Sequence, residues 1–474
     1  MRKFFRWLRG VDIVGVAGSI PAAPTIKSKT YEQDRRQNRA ERGRNRNTFC
    51  GDLWGGCSAA VLACILAAPA AAADDRPNII LIIADDLGYG DVGYLGSRDI
   101  RTPNIDALAD QGVILHQGYV SASICSPSRA GIVTGKYQQR FGHENNIPPG
   151  TADPKYGLPL DQTTMGDVMK AAGYHTAAFG KWHLGGAPQY HPNRRGYDYF
   201  FGWQGSRHNY FSSGAGPALQ LQRNGTPVNL GKYMTDAIAD DAVAYMGRTP
   251  GPLFMHVAFN APHSPLQAPA NYLAEYPNLA GDRKTYAAMV WGLDKGVGRI
   301  VAKADSLDRP SVIVFVSDNG AVPKWGGSNV PLRGNKGSTW DGGIRVPFVI
   351  RLPGGSPLVY QHPVISLDLL PTFAAIAGGN PPADVDGVNL LPYLRGDQAG
   401  DPHDALFWRM NGDRANAARQ ADLKTVEDGQ GNRTWWNMRD PFEHAKGTPS
   451  AALLDAYHRW EGGLRPPLWD DGGE

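Results

Sequence analysis

Two uninterrupted apolar runs constrain the folds open to this chain more than any other feature. Asn78-Ile-Ile-Leu-Ile-Ile-Ala84 and Ser311-Val-Ile-Val-Phe-Val316 show no polar alternation. Such runs mark strands buried on both faces, as in a largely parallel sheet covered by helices. The chain between and around them alternates in type. Helical periodicity at 164–172, 236–246 and 283–306 is interleaved with strand patterns at 113–119, 175–179 and 253–258. That alternation predicts an α/β fold.

Both runs stop at oxygen-bearing side chains: Asp85-Asp86 after the first, Asp318-Asn319-Gly320 after the second. Open α/β sheets place ligands at the carboxyl ends of their strands. Two adjacent carboxylates there repel unless a cation lies between them. Asp85, Asp86, Asp318 and Asn319 together form an all-oxygen set, which suits Ca²⁺ first and Mg²⁺ second, and does not suit zinc.

Net charge is misleading in this chain. Residues 1–52 hold twelve Lys/Arg against five acids, so the formal +3 of all 474 residues belongs to this leader and the remainder is net acidic. A nucleic-acid partner therefore has no basis. Residues 53–73 follow as an apolar run closing in Ala70-Ala-Ala-Ala before Asp74, the pattern of a secretory signal, too short in its apolar core to span a bilayer comfortably. Export to the periplasm or medium is expected, with no stable membrane insertion of the mature chain and residues 1–52 reflecting a misplaced start. Cys64 in Val-Leu-Ala-Cys marks an alternative lipidation site. Three of the four cysteines (Cys50, Cys57 and Cys64) lie in this leader. The exported chain keeps only Cys125, which excludes an intrachain disulfide and leaves a free, intermolecular or modified cysteine.

Cys125 stands in Cys125-Ser-Pro-Ser-Arg129, with Thr134-Gly135 behind. Pro127 is expected to push Ser126 out of the helical region, with a helix from Ala130 to Thr134 aiming its first N–H groups at residue 125. This block resembles the signature of the type I sulfatases. Gly180-Lys-Trp-His-Leu-Gly185, Ala261-Pro-His263-Ser-Pro265 and Pro331-Leu-Arg-Gly-Asn-Lys336 resemble further blocks of that family, in the family's order. One departure is Asp341, where the family usually has Glu.

The resemblance implies an alkaline-phosphatase-like α/β/α sandwich with a mixed sheet, plus a small C-terminal α+β domain. The expected division is 74–387 for catalysis and 388–474 for an antiparallel-sheet region. It also implies sulfate monoester hydrolysis, with Cys125 oxidised to Cα-formylglycine by a sulfatase-maturating enzyme. Asp85, Asp86, Asp318 and Asn319 would hold a divalent ion beside residue 125, itself a ligand. Arg129 would stabilise the attacking alkoxide of the aldehyde hydrate. Lys181, Lys336 and His263 would bind the sulfate and leaving oxygens, with His263 the acid for the alcohol. A covalent sulfate ester results, and His183 would take a proton from the second hydroxyl to expel sulfate. An extended backbone through Gly180–Gly185 would put Lys181 and His183 on one face. Trp203, Arg207, His208, Asn209 and Tyr210, in a long loop at 203–232, are candidates for a sugar- or aryl-binding wall. The rival readings are a phosphonate or phosphodiester hydrolase on the same scaffold, a hydrolase using an unmodified Cys125 thiolate, and a non-catalytic binder of sulfated glycans.

Overall fold

The computed structural model describes residues 74–470 except 411, 413, 414 and 441. The expected leader, secretory signal and lipidation site at Cys64 lie outside the described residues. Among the described residues no helix is long and apolar enough to cross a membrane.

The two apolar runs lie side by side. Asn78–Ala84 and Ser311–Ser317 pair in parallel, Ala84 opposite Ser317. On the other side of Asn78–Ala84 come Leu253–Ala258, then His175–Lys181, then Tyr199–Trp203, each parallel to its neighbour. Short strands extend this core to ten. Phe348–Arg351 joins Ser311–Ser317 antiparallel, and Gln222–Arg223 joins Tyr199–Trp203 antiparallel, so the sheet is mixed.

Both faces of the sheet are buried, as the absence of alternation requires. Ile79, Leu81 and Ile83 face one core with the helices Cys125–Thr134, Met165–Ala171 and Leu369–Ile376. Ile80 and Ile82 face the other, with Pro103–Asp110, Met234–Arg248 and the long Gly281–Asp305. The result is an α/β/α sandwich. One consequence positions the site: four adjacent parallel strands bring Asp318, Asp85, His263 and Lys181 together at or just beyond their carboxyl ends.

A second sheet follows in the chain. Leu406–Met410, Ala415–Gln420, Leu423–Glu427 and Arg433–Asn437 form a four-stranded antiparallel meander, backed by the helix Ala451–Glu461. Its Trp408, Ala417 and Val426 share a core with the Cys125–Thr134 helix. Gln420 ends one of these strands and Leu423 begins the next, with Ala421 in a tight turn at a φ of +45°.

His403 Nε2 lies 2.7 Å from Asp368 Oδ1, and Asp368 also accepts the N–H groups of Ile365 and Val388. Burial opposes the imidazolium, but the Asp368 carboxylate outweighs it and raises the His403 pKa above the ordinary 6.5. The folded state then binds the proton more tightly than the unfolded chain. The stabilisation is full below about pH 6.5 and is lost as the pH rises through the raised value. Melting temperatures of the parent and His403→Gln are therefore expected to differ most below about pH 6.5 and to draw together as the pH rises above it.

Candidate active site

Cys125 is the first residue of its helix, not a residue preceding it. The helix spans Cys125–Thr134 with Ile124 as N-cap, so Ser126 and Pro127 are both helical, contrary to the expectation for Ser126. Pro127 is tolerated in the first turn because no intrahelical acceptor awaits its missing N–H. Arg129 consequently sits one turn along the same helix. Its guanidinium lies 2.9 Å from Asp318 Oδ2 and 3.6 Å from Asp85 Oδ1, and it donates to the Lys181 carbonyl at 2.9 Å.

The side chains from the four strand ends converge on the thiol. Cys125 Sγ lies 3.4 Å from Asp85 Oδ1 and 3.8 Å from Asp86 Oδ1. Lys336 Nζ, from the loop after Leu332, is 3.2 Å from the same sulfur and 3.0 Å from Asp86 Oδ1. Lys181 Nζ bonds both oxygens of Asp85, at 3.0 and 2.8 Å. His263 Nε2 is 3.6 Å from Asp86 Oδ2. All these groups but Lys336, which is half-buried, are at most 3% exposed.

Lys181 is the last residue of its strand, and the extended backbone stops there. His183 adopts a left-handed φ of +56°, so the two side chains do not share a face through strand alternation. Trp182 N and His183 N instead bond the carbonyls of Trp203 and Gln204. His183 Nε2 lies 3.3 Å from the Ile147 carbonyl. A carbonyl only accepts, so Nε2 carries the proton. Nδ1 is then the bare nitrogen, buried and without a hydrogen-bond partner. Burial first, then Lys181 and Arg129, hold this imidazole well below its usual pKa. It is neutral and able to accept a proton. His263 has the opposite tautomer: its Nδ1 meets the Ser264 carbonyl at 2.7 Å, which leaves Nε2 toward the acids.

The residues named for a substrate wall divide. Trp203 is fully buried, its indole N–H on the Ser206 carbonyl. Both ring nitrogens of His208 are engaged by backbone carbonyls. Tyr210 is buried, its hydroxyl bridging the carbonyls of Asn260 and His263 at 2.5 and 2.8 Å. These three pack or position and form no wall; Tyr210 fixes the loop that aims His263. Arg207 and Asn209 are exposed. The stretch is not one loop, since it carries the short strands Gln222–Arg223 and Thr226–Pro227. What the motifs did not disclose is Trp325, half-buried, its ring 5.9 Å from that of His263.

The shorter Asp341 still reaches its partners. It accepts from Lys424 Nζ at 2.6 Å and the Tyr119 hydroxyl at 3.0 Å, and its N–H bonds Glu443 Oε2 at 3.0 Å. This fully buried set ties the loop carrying Lys336 to the small sheet.

Asp85, Asp86, Cys125 and His263 form the group of potential metal ligands whose donor atoms all lie within 4.8 Å of one another. Asp318 stands next to it, with Oδ1 on the Asp86 N–H and Oδ2 on Arg129. Asn319 Nδ2 donates to Asp86 Oδ1 at 2.7 Å, while Asn319 Oδ1 is buried without any donor. A buried carbonyl oxygen without a donor is accounted for if it faces a cation. Lys181, His263 and Arg129 overcome burial to hold Asp85 well below the usual carboxylate range, so it is ionised. The donor set fits a divalent ion.

A buried carboxylate centre, ringed by cations at the carboxyl ends of parallel strands, is built to hold an anionic group. Comparison with known proteins names the family. Residues 77–379 match the sulfatase family model. Steryl-sulfatase of Mus musculus is 34% identical over 78% of this chain and 71% of its own length. Arylsulfatase J of Mus musculus is 37% identical over 67% of this chain and 56% of its own. Among solved structures, Ps i-CgsB in complex with k-i-k-neocarrahexaose superposes with a TM-score of 0.77 at 36% identity, covering 83% of this chain and 95% of that one. The chain belongs to the sulfatase family, with the alkaline-phosphatase-like fold. The phosphonate monoester hydrolase of Agrobacterium radiobacter, 20% identical with a TM-score of 0.59, shares the fold alone.

Proposed function

We propose that this chain hydrolyses sulfate monoesters of carbohydrates or aryl alcohols, with Cys125 oxidised to Cα-formylglycine. The carrying observation is the place of Cys125: fully buried, yet within 3.8 Å of two carboxylates and an ammonium group. Burial pushes the thiol pKa well up, beyond what Lys181 and Lys336 offset, which disfavours a thiolate nucleophile. An oxidised side chain with two hydroxyls on one carbon resolves this. The relative solved with a neocarrahexaose favours a carbohydrate ester. Export and a maturating enzyme belong to the same reading, as does a division in which 74–387 carries catalysis and 388–474 supports it.

Asp85, Asp86, Asp318 and Asn319 would hold a divalent ion, calcium before magnesium, whose charge would draw the sulfate and the attacking oxygen together. Arg129 stabilises the alkoxide on residue 125 as it attacks sulfur. Lys181 and Lys336 neutralise the sulfuryl oxygens, and His263, once protonated, gives its proton to the leaving alcohol. His183, with Nδ1 free, takes the proton of the second hydroxyl so that sulfate leaves and the aldehyde returns.

Mass analysis of the peptide containing Cys125 from active protein should show the thiol gone. Fully active enzyme with an alkylatable Cys125 would overturn the proposal. His183→Ala should release one burst of alcohol and then stall, with turnover lower by on the order of 100-fold. His263→Ala should instead slow alcohol release itself, most for poor leaving groups. Rapid-mixing assays with activated and unactivated aryl sulfates separate the two.

A further inference from the structure

We infer that the segment 465–469 is a clamp that positions His183 and the first turn of the Cys125 helix. The inference rests on the proposed role of His183, and its evidence lies in a loop that no motif marks.

Loop 139–147 holds the groups next to the reacting residues. The Ile147 carbonyl fixes the His183 tautomer. Asn146 Oδ1 accepts the N–H of Ser126 at 3.0 Å. The Ser126 hydroxyl lies 2.7 Å from both the His183 carbonyl and His143 Nε2. That hydroxyl has one proton, which goes to the carbonyl, so His143 donates from Nε2. The residue after Cys125 is thus held from three sides, and the groups doing so come from this loop and from His183 itself.

The loop has only a short 3-10 turn, Gln138–Phe141, at its start, so its shape depends on what packs against it. Segment 465–469 supplies that contact. Arg465 N and Leu468 N bond the carbonyls of Gln139 and Gly142, at 3.1 and 2.8 Å. Trp469 Nε1 donates to the Asn146 carbonyl at 3.1 Å, and the Trp469 carbonyl accepts from Asn145 Nδ2 at 2.7 Å. The indole stands edge-on to His143, centroids 4.8 Å apart, and to Tyr156 at 5.6 Å. Trp469 is only 4% exposed. Gly142 lets the segment come this close: a Cβ there would lie 2.6 Å from the Pro466 carbonyl. One residue, Asn146, therefore touches Trp469 through its backbone and Ser126 through its side chain, two steps from residue 125.

The chemistry explains why a clamp is needed. His183 must meet a hydroxyl within hydrogen-bond reach in one orientation, and misplacement by about 1 Å costs on the order of 100-fold. Its left-handed backbone makes that placement depend on neighbours.

The test uses the matured full-length protein and 4-nitrophenyl sulfate. Trp469→Ala should lower kcat by on the order of tenfold or more, with KM within about twofold, and should show a burst followed by a slow phase as His183→Ala does. Trp469→Phe, which keeps the ring against His143, should recover most of kcat. In a His183→Ala background, Trp469→Ala should add little, because both changes act on one step. Should Trp469→Ala fail to fold, Asn145→Ala combined with Trp469→Phe removes two clamp hydrogen bonds and keeps the packing; a slowed second phase supports the clamp and wild-type kinetics overturns it. Wild-type kcat in a folded Trp469→Ala, or an equal loss with and without His183, overturns the clamp alone. If His183→Ala itself turns over normally, the catalytic reading of His183 fails, and the clamp fails with it.

Discussion

Cys125→Ser is expected to release no more than about one equivalent of alcohol per enzyme, with steady-state turnover lower by on the order of 10⁴-fold or more. Serine keeps an oxygen near the position of the sulfur, between Asp85 and Asp86 on one side and Lys336 on the other. It can therefore attack sulfur. It has no second hydroxyl on the same carbon for His183 to deprotonate, so the ester it forms has no elimination route. Cys125→Ala lacks even the first oxygen and should release none. Quantifying alcohol in the first turnover, then the linear rate, distinguishes the two variants. Sustained turnover by the serine variant would mean that elimination is not how sulfate leaves.

Asp85→Asn should remove the bound divalent ion and most activity together, and destabilise the fold by about 3 kcal/mol or more. Both carboxylate oxygens of Asp85 face Lys181 Nζ, and neither side chain has any exposed surface. Neutralising Asp85 leaves a buried ammonium without its counter-ion. Asp86→Asn should also lose the ion but cost less stability, because its partner Lys336 is partly exposed. Elemental analysis of dialysed protein and thermal melts check both outcomes. A variant that keeps a full equivalent of calcium would remove Asp85 from the ligand set.

The strand framework and most of the site were legible because their signals are local. An apolar run without alternation permits little besides a strand covered on both faces, and Asp85, Asp86, Asp318 and Asn319 each follow one directly. What escaped the reading depends on backbone turns or distant neighbours. The left-handed turn at His183 is hard to see in Lys181-Trp-His183, since histidine signals positive φ far more weakly than glycine does. Trp203, His208 and Tyr210 look like a binding wall because their composition is aromatic and polar, but their partners come from segments up to about fifty residues away. Loop 139–147 is recognisable only once segment 465–469 lies on it.

The burial of Cys125 has a consequence in time. Its sulfur is sealed by residues 85, 86 and 336, and Ala84 and Ser317, which begin two of those loops, are register partners. Lys336 is not yet made when the chain has just passed residue 125, and the strand ending at Asp85 and Asp86 gains its neighbour only once Ser311–Ser317 has paired with it. If Cys125 is oxidised by another enzyme, as proposed above, that enzyme would have to reach it before the fold closes around it. On that reading folding and modification would compete for the same interval, and protein that folds first would keep a fully buried thiol. A preparation of this chain should accordingly hold two populations, oxidised and sealed-off, in a ratio set by synthesis conditions and unchanged by later incubation of the folded protein with the modifying enzyme.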